Sequence, residues 1–258
     1  MQYKTLIVTE QAGVGVITLN RPTLMNALNA QMRAEILFAV RDLGSRSRCL
    51  VLTGEGRAFC SGQDLGDGAS VDELDLGRIL REEYEPMLRA INDCPVPVIA
   101  AVNGAAAGAG ANLALGCDVV IATRSAVFLQ AFTRIGLIPD AGGTYWLPRQ
   151  VGFARAMGQM LFADKITADE ALAQGMIYQV ADDAEFAATW RARAQALADG
   201  PTQAYRALKK ALRGSFANDL DAQLTLEAEM QGRCGATRDF REGVMAFLDK
   251  RPAQFEGR

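Results

Sequence analysis

Two short runs rich in Val, Ile, Leu and Thr, Thr5–Thr9 and Gly15–Asn20, flank the loop Gln11-Ala12-Gly13 and predict a β-hairpin. Over Asn29–Leu43 the apolar residues Met32, Ile36, Val40 and Leu43 recur on one helical face. Cys49–Thr53 is continuously apolar, as a strand buried on both faces would be. Gly54–Gly68 holds five glycines and few long apolar residues, and predicts a loop. Val71–Ile91 is charged, with Leu74, Ile79, Leu80, Met87, Leu88 and Ile91 scattered through it. It predicts an irregular helical stretch with Pro86 inside it or at a break. Val96–Val102 is the next buried strand. Gly104–Gly116 turns into a helix with Leu113 and Leu115 on its inner face. Asp118–Thr123 and Ala126–Leu129 predict two more strands.

After Asp164 the pattern becomes mostly helical. Thr167–Gln174 opens on a T-x-x-E capping box, Thr167 and Glu170. Ile177–Val180 suits one further strand, and helices are predicted over Asp183–Ala198, Thr202–Arg213, Asp219–Cys234 and Asp239–Lys250. Strands that recur with helices between them indicate an α/β fold with a largely parallel sheet. The division is a mixed core over residues 1–180 and a helical segment over 181–258. No internal sequence repeat or charged tail is visible.

The chain has 258 residues and half of them are apolar, enough for a sizeable core. A net charge of −3 gives no general attraction to nucleic acid or to an acidic membrane. Pro95–Leu115, the longest apolar stretch, is broken by Asn103 and several glycines and reads as strand, turn and helix, not as a membrane span. There is no histidine, so acid–base chemistry falls to carboxylate, Lys, Tyr, Cys or water. The five cysteines are scattered without a C-x-x-C pair, which argues against a disulfide framework or zinc site. No signal-peptide pattern opens the chain, and a cytoplasmic location is expected.

Three glycine-rich stretches follow predicted strands. Arg57–Leu65 offers close approach to backbone N–H groups, although alone it reads as a tight surface turn. Asn103–Asn112 fits neither a Walker loop nor G-x-G-x-x-G. It suits either tight helix–sheet packing or a helix start aimed at an anion. In Gly136–Thr144, Asp140 reads by default as a helix N-cap. Walled by Leu137, Ile138 and Trp146, its carboxylate would instead hold a proton more tightly and serve as a base.

Asn20-Arg21-Pro22, Asn26-Ala27-Leu28, FCSGQDL, PVIAAVNGAAAGAGANLALGCD and IGLIPDAGGTYWLPR, in that order, resemble the crotonase superfamily, the enoyl-CoA hydratase/isomerase family, over nearly the whole chain. The resemblance implies a crotonase-like α/β spiral of ββα units with a C-terminal helical trimerisation segment, assembled as a homotrimer or hexamer. It implies an acyl-CoA thioester as substrate, no separate cofactor, and an oxyanion hole made by the backbone N–H groups of Gln63 and Ala109. Most members carry Gly at the position of Ala109. Hydratases of the family carry two glutamates where this chain has Asn112 and Phe132. That departure puts water addition in doubt and makes Phe132 an apolar wall. Asp140 matches the acid/base position of isomerase-type members. Met25, Ala27, Ala58, Gln63, Asp64 and Leu65 match the loops that grip coenzyme A, and Lys250 and Arg251 are candidates for its phosphates. FCSGQDL, GAGANLALG, AFTRIGLIPDAGGTYWLPR, ARAMG and DFREGVMAFLDKR resemble the subgroup that isomerises ring-1,2-epoxyphenylacetyl-CoA. The expected activity is an acyl-CoA isomerase with Asp140 as proton shuttle. Alternatives are an enoyl-CoA hydratase or a non-catalytic acyl-CoA-binding protein.

Overall fold

The computed structural model describes residues 2–66 and 75–258. Residues 71–74, the start of the expected stretch Val71–Ile91, and the end of the expected loop Gly54–Gly68 lie outside them. The hairpin forms from β1 (Leu6–Gln11) and β2 (Val14–Leu19), with Leu6 opposite Leu19. Its turn is Ala12-Gly13, both with positive φ, the two-residue geometry that follows the twist of paired strands. Helix α1 (Ala30–Arg46) is capped by Asn29, whose side chain accepts from the Met32 N–H at 2.9 Å.

A repeated unit follows in which one strand enters each of two sheets before a helix returns. The first is β3 (Cys49–Gly54), β4 (Ala58–Cys60), α2 (Leu76–Ile79) and α3 (Glu85–Asn92), the two helices joined by a π turn, Leu80–Tyr84. The second is β5 (Val98–Val102), β6 (Ala105–Ala107) and α4 (Ala109–Leu115). The third is β7 (Val119–Thr123), β8 (Val127–Leu129) and, after a 3₁₀ turn at Ala131–Ile135, α5 (Gly143–Val151) and α6 (Phe153–Phe162). Then come β9 (Ile166–Thr167), α7 (Ala168–Ala173), β10 (Gln179–Ala181), α8 (Phe186–Ala198), α9 (Thr202–Gly214), α10 (Leu220–Gly235) and α11 (Arg238–Leu248). The larger sheet runs β1-β2-β3-β5-β7-β10 and is parallel from β2 onward. The smaller runs β4-β6-β8-β9, parallel except at β9.

The apolar runs of β3, β5 and β7 have no polar face because both faces are covered. Leu50, Leu52, Val98, Ala100, Val120 and Ala122 pack with Met32, Ile36, Val40 and Leu43 of α1. Val51, Ile99, Ala101 and Ile121 face the other way, against Phe186, Trp190 and Ala194 of α8.

Several local expectations change. The expected loop Gly54–Gly68 contains β4, and the expected turn at Gly104–Gly116 contains β6. Three-residue segments such as Ala-Ala-Ala have little strand preference of their own; their neighbours in the smaller sheet hold them extended. Of the two places expected for Pro86, inside the helical stretch or at a break, it takes the first: it stands in the opening turn of α3, directly after the π turn in which the Glu85 N–H reaches back to Leu80 O. Helix α4 has no single inner face at Leu113 and Leu115, since all of Ala109–Leu115 is buried. The helix implied by reading Asp140 as an N-cap is present as α5, two residues further on than that cap would place it, whereas α6 fills a stretch with no predicted element. The capping box does form: Thr167 accepts from the Glu170 N–H, and Glu170 from Thr167.

The loop before α1 is fastened to the loop after β3 by buried Asn26. Its Nδ2 donates to Glu55 O (2.9 Å) and Ala58 O (2.8 Å), and its Oδ1 accepts from the Arg21 N–H (2.9 Å). Asn26 holds φ 57°, a left-handed conformation that asparagine tolerates. Asn26→Ala is expected to lower the unfolding free energy by about 1–3 kcal/mol, because the Arg21 N–H and Glu55 O lose the carboxamide and Ala58 O keeps only Asn103 at 3.3 Å. Urea denaturation followed by circular dichroism measures this.

Candidate active site

Gln63 and Ala109, both expected as donors, are brought together although 46 positions apart in the chain. Strand β4 runs into Gly62, β6 runs into Gly108, and the two strands pair in parallel. Gly62 has φ +97°, and a Cβ there would lie 2.9 Å from Ala107 O and 3.3 Å from Ala109 N. The two backbones thus approach too closely for any side chain at Gly62. Leu28 bridges Gln63 in parallel: the Leu28 N–H donates to Gly62 O (2.8 Å) and the Asp64 N–H to Leu28 O (3.1 Å). The bridge uses the amides on either side of Gln63 and turns Gln63's own N–H the other way. Ala109 opens α4, so its N–H has no acceptor within the helix. Neither N–H has an acceptor among the described residues.

The Gln63 side chain is also held. Its Oε1 accepts from Arg33 Nη1 (2.9 Å) and from the Tyr84 hydroxyl (2.7 Å), and its Nε2 donates to Asp64 O (3.2 Å). Arg33 is 2% exposed; its Nε and Nη2 donate to Glu83 Oε2 at 3.0 and 2.6 Å. Sequence motifs do not single out Arg33, Glu83 or Tyr84. One signal was available: Arg33 stands three and seven positions before Ile36 and Val40, a charge on the apolar face of α1.

Asp140 is not an N-cap. Gly142 precedes α5 in that place and no side chain caps the helix. Asp140 lines a cavity of about 510 Å3 together with Leu80, Leu88, Tyr84, Tyr145 and Trp146, with Glu85, Arg89 and Asn92 among its polar members. Of the walls expected around it, Trp146 is present, whereas Ile138 is 80% exposed and faces away into solvent. Asp140 Oδ1 is shut off from solvent and has no hydrogen-bond partner. Burial raises its pKa to about 6. Glu85, the other carboxylate at the cavity, is exposed and paired with Arg89 at 2.7 Å.

Asn112 and Phe132 stand beside these groups. Asn112 is fully buried; its Nδ2 donates to Asp140 O and its Oδ1 accepts from Gln130 Nε2, both at 2.8 Å. An amide therefore holds the backbone that carries Asp140. Phe132 is buried, and its ring edge lies 3.7 Å from where a Cβ on Gly108 would sit, directly before Ala109.

The remaining candidates differ in availability. Ala27 and Ala58 are buried, and their carbonyls are taken by Arg21 and by Asn26 and Asn103. Asp64 pairs with Arg21 at 2.8 Å and accepts from the Gly66 N–H. Met25 accepts from Arg57 Nε through its sulfur, and Leu65 is exposed. Arg251 is committed to Glu242 at 2.6 Å and to Asp249 at 3.5 Å, so it fastens the C-terminal segment. Lys250 follows in a left-handed conformation, φ 54°. Among the described residues no cluster of Cys, Asp or Glu could hold a metal ion, and no helix is long and apolar enough to cross a membrane.

Superposed on the crystal structure of an enoyl-CoA hydratase from Bacillus anthracis, the chain gives a TM-score of 0.93 at 30% identity, covering 99% of this chain and 100% of that one. The two sheets, the ββα repeats and the C-terminal helices are the crotonase fold. A family model for enoyl-CoA hydratase/isomerase matches residues 9–258. Over 258 residues, all of both chains, the sequence is 61% identical to a Rhodobacter capsulatus protein named "probable enoyl-CoA hydratase". Over 254 residues it is 47% identical to the 1,2-epoxyphenylacetyl-CoA isomerase of Escherichia coli, covering 96% of this chain and 97% of that one. The chain belongs to the enoyl-CoA hydratase/isomerase family.

A raised carboxyl pKa also has a stability signature. Below its unfolded value the acid is neutral in both states; as pH rises through about 6 the folded chain must carry a buried charge and loses stability. Asp140→Asn is expected to unfold at higher urea than the parent above pH 6, by about 1–3 kcal/mol, with the gap closing towards pH 4. Urea titrations at the two pH values measure it.

Proposed function

We propose that this chain is an acyl-CoA isomerase in which Asp140 shuttles one proton and the Gln63 and Ala109 N–H groups hold the thioester oxygen. The observation that carries this reading is Asp140, a member of a cavity lined largely by apolar and aromatic residues, with its Oδ1 buried and without a partner. Removing a proton beside a thioester moves negative charge onto its oxygen. Two unpaired donors close together suit that charge, and one such donor can contribute roughly 3 kcal/mol to the transition state. The same carboxyl then returns the proton at the γ carbon, which moves the double bond from 3,4 to 2,3. A pKa of about 6 leaves the group ionised at neutral pH and still basic enough to work.

Asn112 and Phe132 cannot give or take a proton, which disfavours the two-glutamate route of water addition. The aromatic members of the cavity, Tyr84, Tyr145 and Trp146, suit a cyclic acyl group, and the 47% identity to the Escherichia coli isomerase makes ring-epoxide to oxepin conversion the first such reaction to assay. In this reading acyl-CoA is the substrate, no separate cofactor takes part, and the chain works as a homotrimer or hexamer. The 61% identity to the Rhodobacter capsulatus protein favours a second reading, hydration of an enoyl-CoA. Crotonyl-CoA hydration faster than 3-enoyl-CoA isomerisation by the purified chain would establish it instead.

In the isomerase reading, Asp140→Asn lowers kcat for double-bond migration in a 3-enoyl-CoA by about 10²–10⁴-fold, and near-parental turnover removes Asp140 from the role. For the parent, kcat is expected to fall as pH drops through about 6, because protonation takes away the base. A pH–rate profile with no acid limb there argues against it.

A further inference from the structure

Gln63 is needed, on the proposed reading, for its backbone N–H alone, which any residue supplies. Its side chain is nevertheless immobilised by two buried donors, Arg33 Nη1 and the Tyr84 hydroxyl, at 2.9 and 2.7 Å. Ordering a long polar side chain costs rotamer entropy, and burying a guanidinium is unfavourable unless it is paired. A fold that required only an amide at this point would not carry that cost.

The arrangement has a direction. Arg33 Nη1 donates to Leu28 O (2.7 Å) as well as to Gln63 Oε1. Leu28 is the residue that bridges Gln63 through the main chain. One guanidinium therefore grips both sides of the bridge that aims the Gln63 N–H. Glu83 balances its charge, and the Tyr84 ring lies 4.9 Å from it. Glu83 and Tyr84 are adjacent at the end of the π turn Leu80–Tyr84. That turn carries the extra residue which lets two neighbouring side chains meet one buried cluster. Tyr84 also lines the cavity that holds Asp140. A single residue thus touches both the acyl cavity and the residue that carries one oxyanion donor.

We infer that Tyr84 and Arg33 are positioning residues that hold the Gln63 N–H on the thioester oxygen through the Gln63 carboxamide, an inference that rests on the oxyanion-hole reading of Gln63 and Ala109. The hydroxyl of Tyr84 is the part that acts on Gln63; its ring serves the cavity wall. Tyr84→Phe keeps the wall and removes only the bond to Oε1. Because small displacements of a preorganised group are expensive in rate, kcat falls about 10- to 100-fold while KM stays within about threefold. The acid limb of the pH profile, which belongs to Asp140, stays in place. Gln63→Ala, which keeps the N–H and loses the carboxamide, gives a fall of the same order, and the double variant is no worse than either single one.

The test is run on the full chain with two readouts. Double-bond migration in a 3-enoyl-CoA gives kcat and KM. The ultraviolet enolate band of bound acetoacetyl-CoA reports stabilisation of the oxyanion directly, without Asp140 turnover. Support is an enolate fraction in Tyr84→Phe lowered in step with kcat. An enolate band equal to the parent's overturns the inference, also when the variant unfolds at lower urea, since Tyr84 would then serve stability alone. A parent that stabilises the enolate but moves no double bond overturns the isomerase reading and leaves this inference standing. A parent that binds acetoacetyl-CoA without any enolate band removes the donor pair, and the inference falls with it.

Discussion

Everything at the site depends on two backbone N–H groups being left unpaired next to each other inside a folded chain. Buried unpaired donors are unfavourable by about 1–3 kcal/mol each, so secondary structure normally removes them. Here secondary structure produces them. The Leu28 bridge engages the amides on either side of Gln63 and excludes its own, and Ala109 is a helix start with no turn before it. The parallel pairing of β4 with β6 then fixes how far apart the two loops lie, and Gly62 lets them close to contact. Asn26 and Asn103 both bond to Ala58 O and so tie β4 to the loop before α1 and to the start of β6.

The other half of the site is organised by the opposite means. Asp140 is held by its main chain, through Asn112 and behind it Gln130, while its carboxyl is left among apolar and aromatic groups. Amides that accept and donate but do not titrate suit this task, since a carboxylate at position 112 would face the Asp140 carbonyl with no proton to donate. The proton affinity of Asp140 is therefore set almost wholly by loss of water and not by a charged partner. The two halves meet at Tyr84, the residue common to the cavity wall and the Gln63 cluster.

The spiral of ββα units shows why a fold can repeat where a sequence does not. In each unit the first strand has five or six residues and lies in the covered sheet, while the second has three and lies in the smaller one. The long strands β3, β5 and β7 are buried almost throughout, whereas β6 and β8 are only partly buried. The short strands are held by their neighbours and are free to be Ala-Phe-Cys, Ala-Ala-Ala or Val-Phe-Leu. The connecting helices vary from the seven residues of α4 to the α2–π–α3 stretch and the pair α5 and α6, so no common period survives along the chain.

From the residue pattern alone one reads the long strands, α1 and the C-terminal helices, because double-sided burial and helical spacing leave strong local marks, as do caps such as Asn29 and Thr167. The resemblance of the ordered motifs to the enoyl-CoA hydratase/isomerase family marks Gln63, Ala109 and Asp140 as the positions of interest. Local pattern misreads Asp140 as a cap, does not show the strand Ala58–Cys60 within the glycine-rich loop Gly54–Gly68, and is silent on Arg33, Glu83 and Tyr84. Those three lie up to 51 positions apart and become one cluster only when α1 packs on the α2–α3 stretch. Proximity of that kind, like the exclusion of water that raises Asp140 and the approach of two loops within van der Waals contact, is a property of packed surfaces and belongs to the folded chain, not to any segment of it.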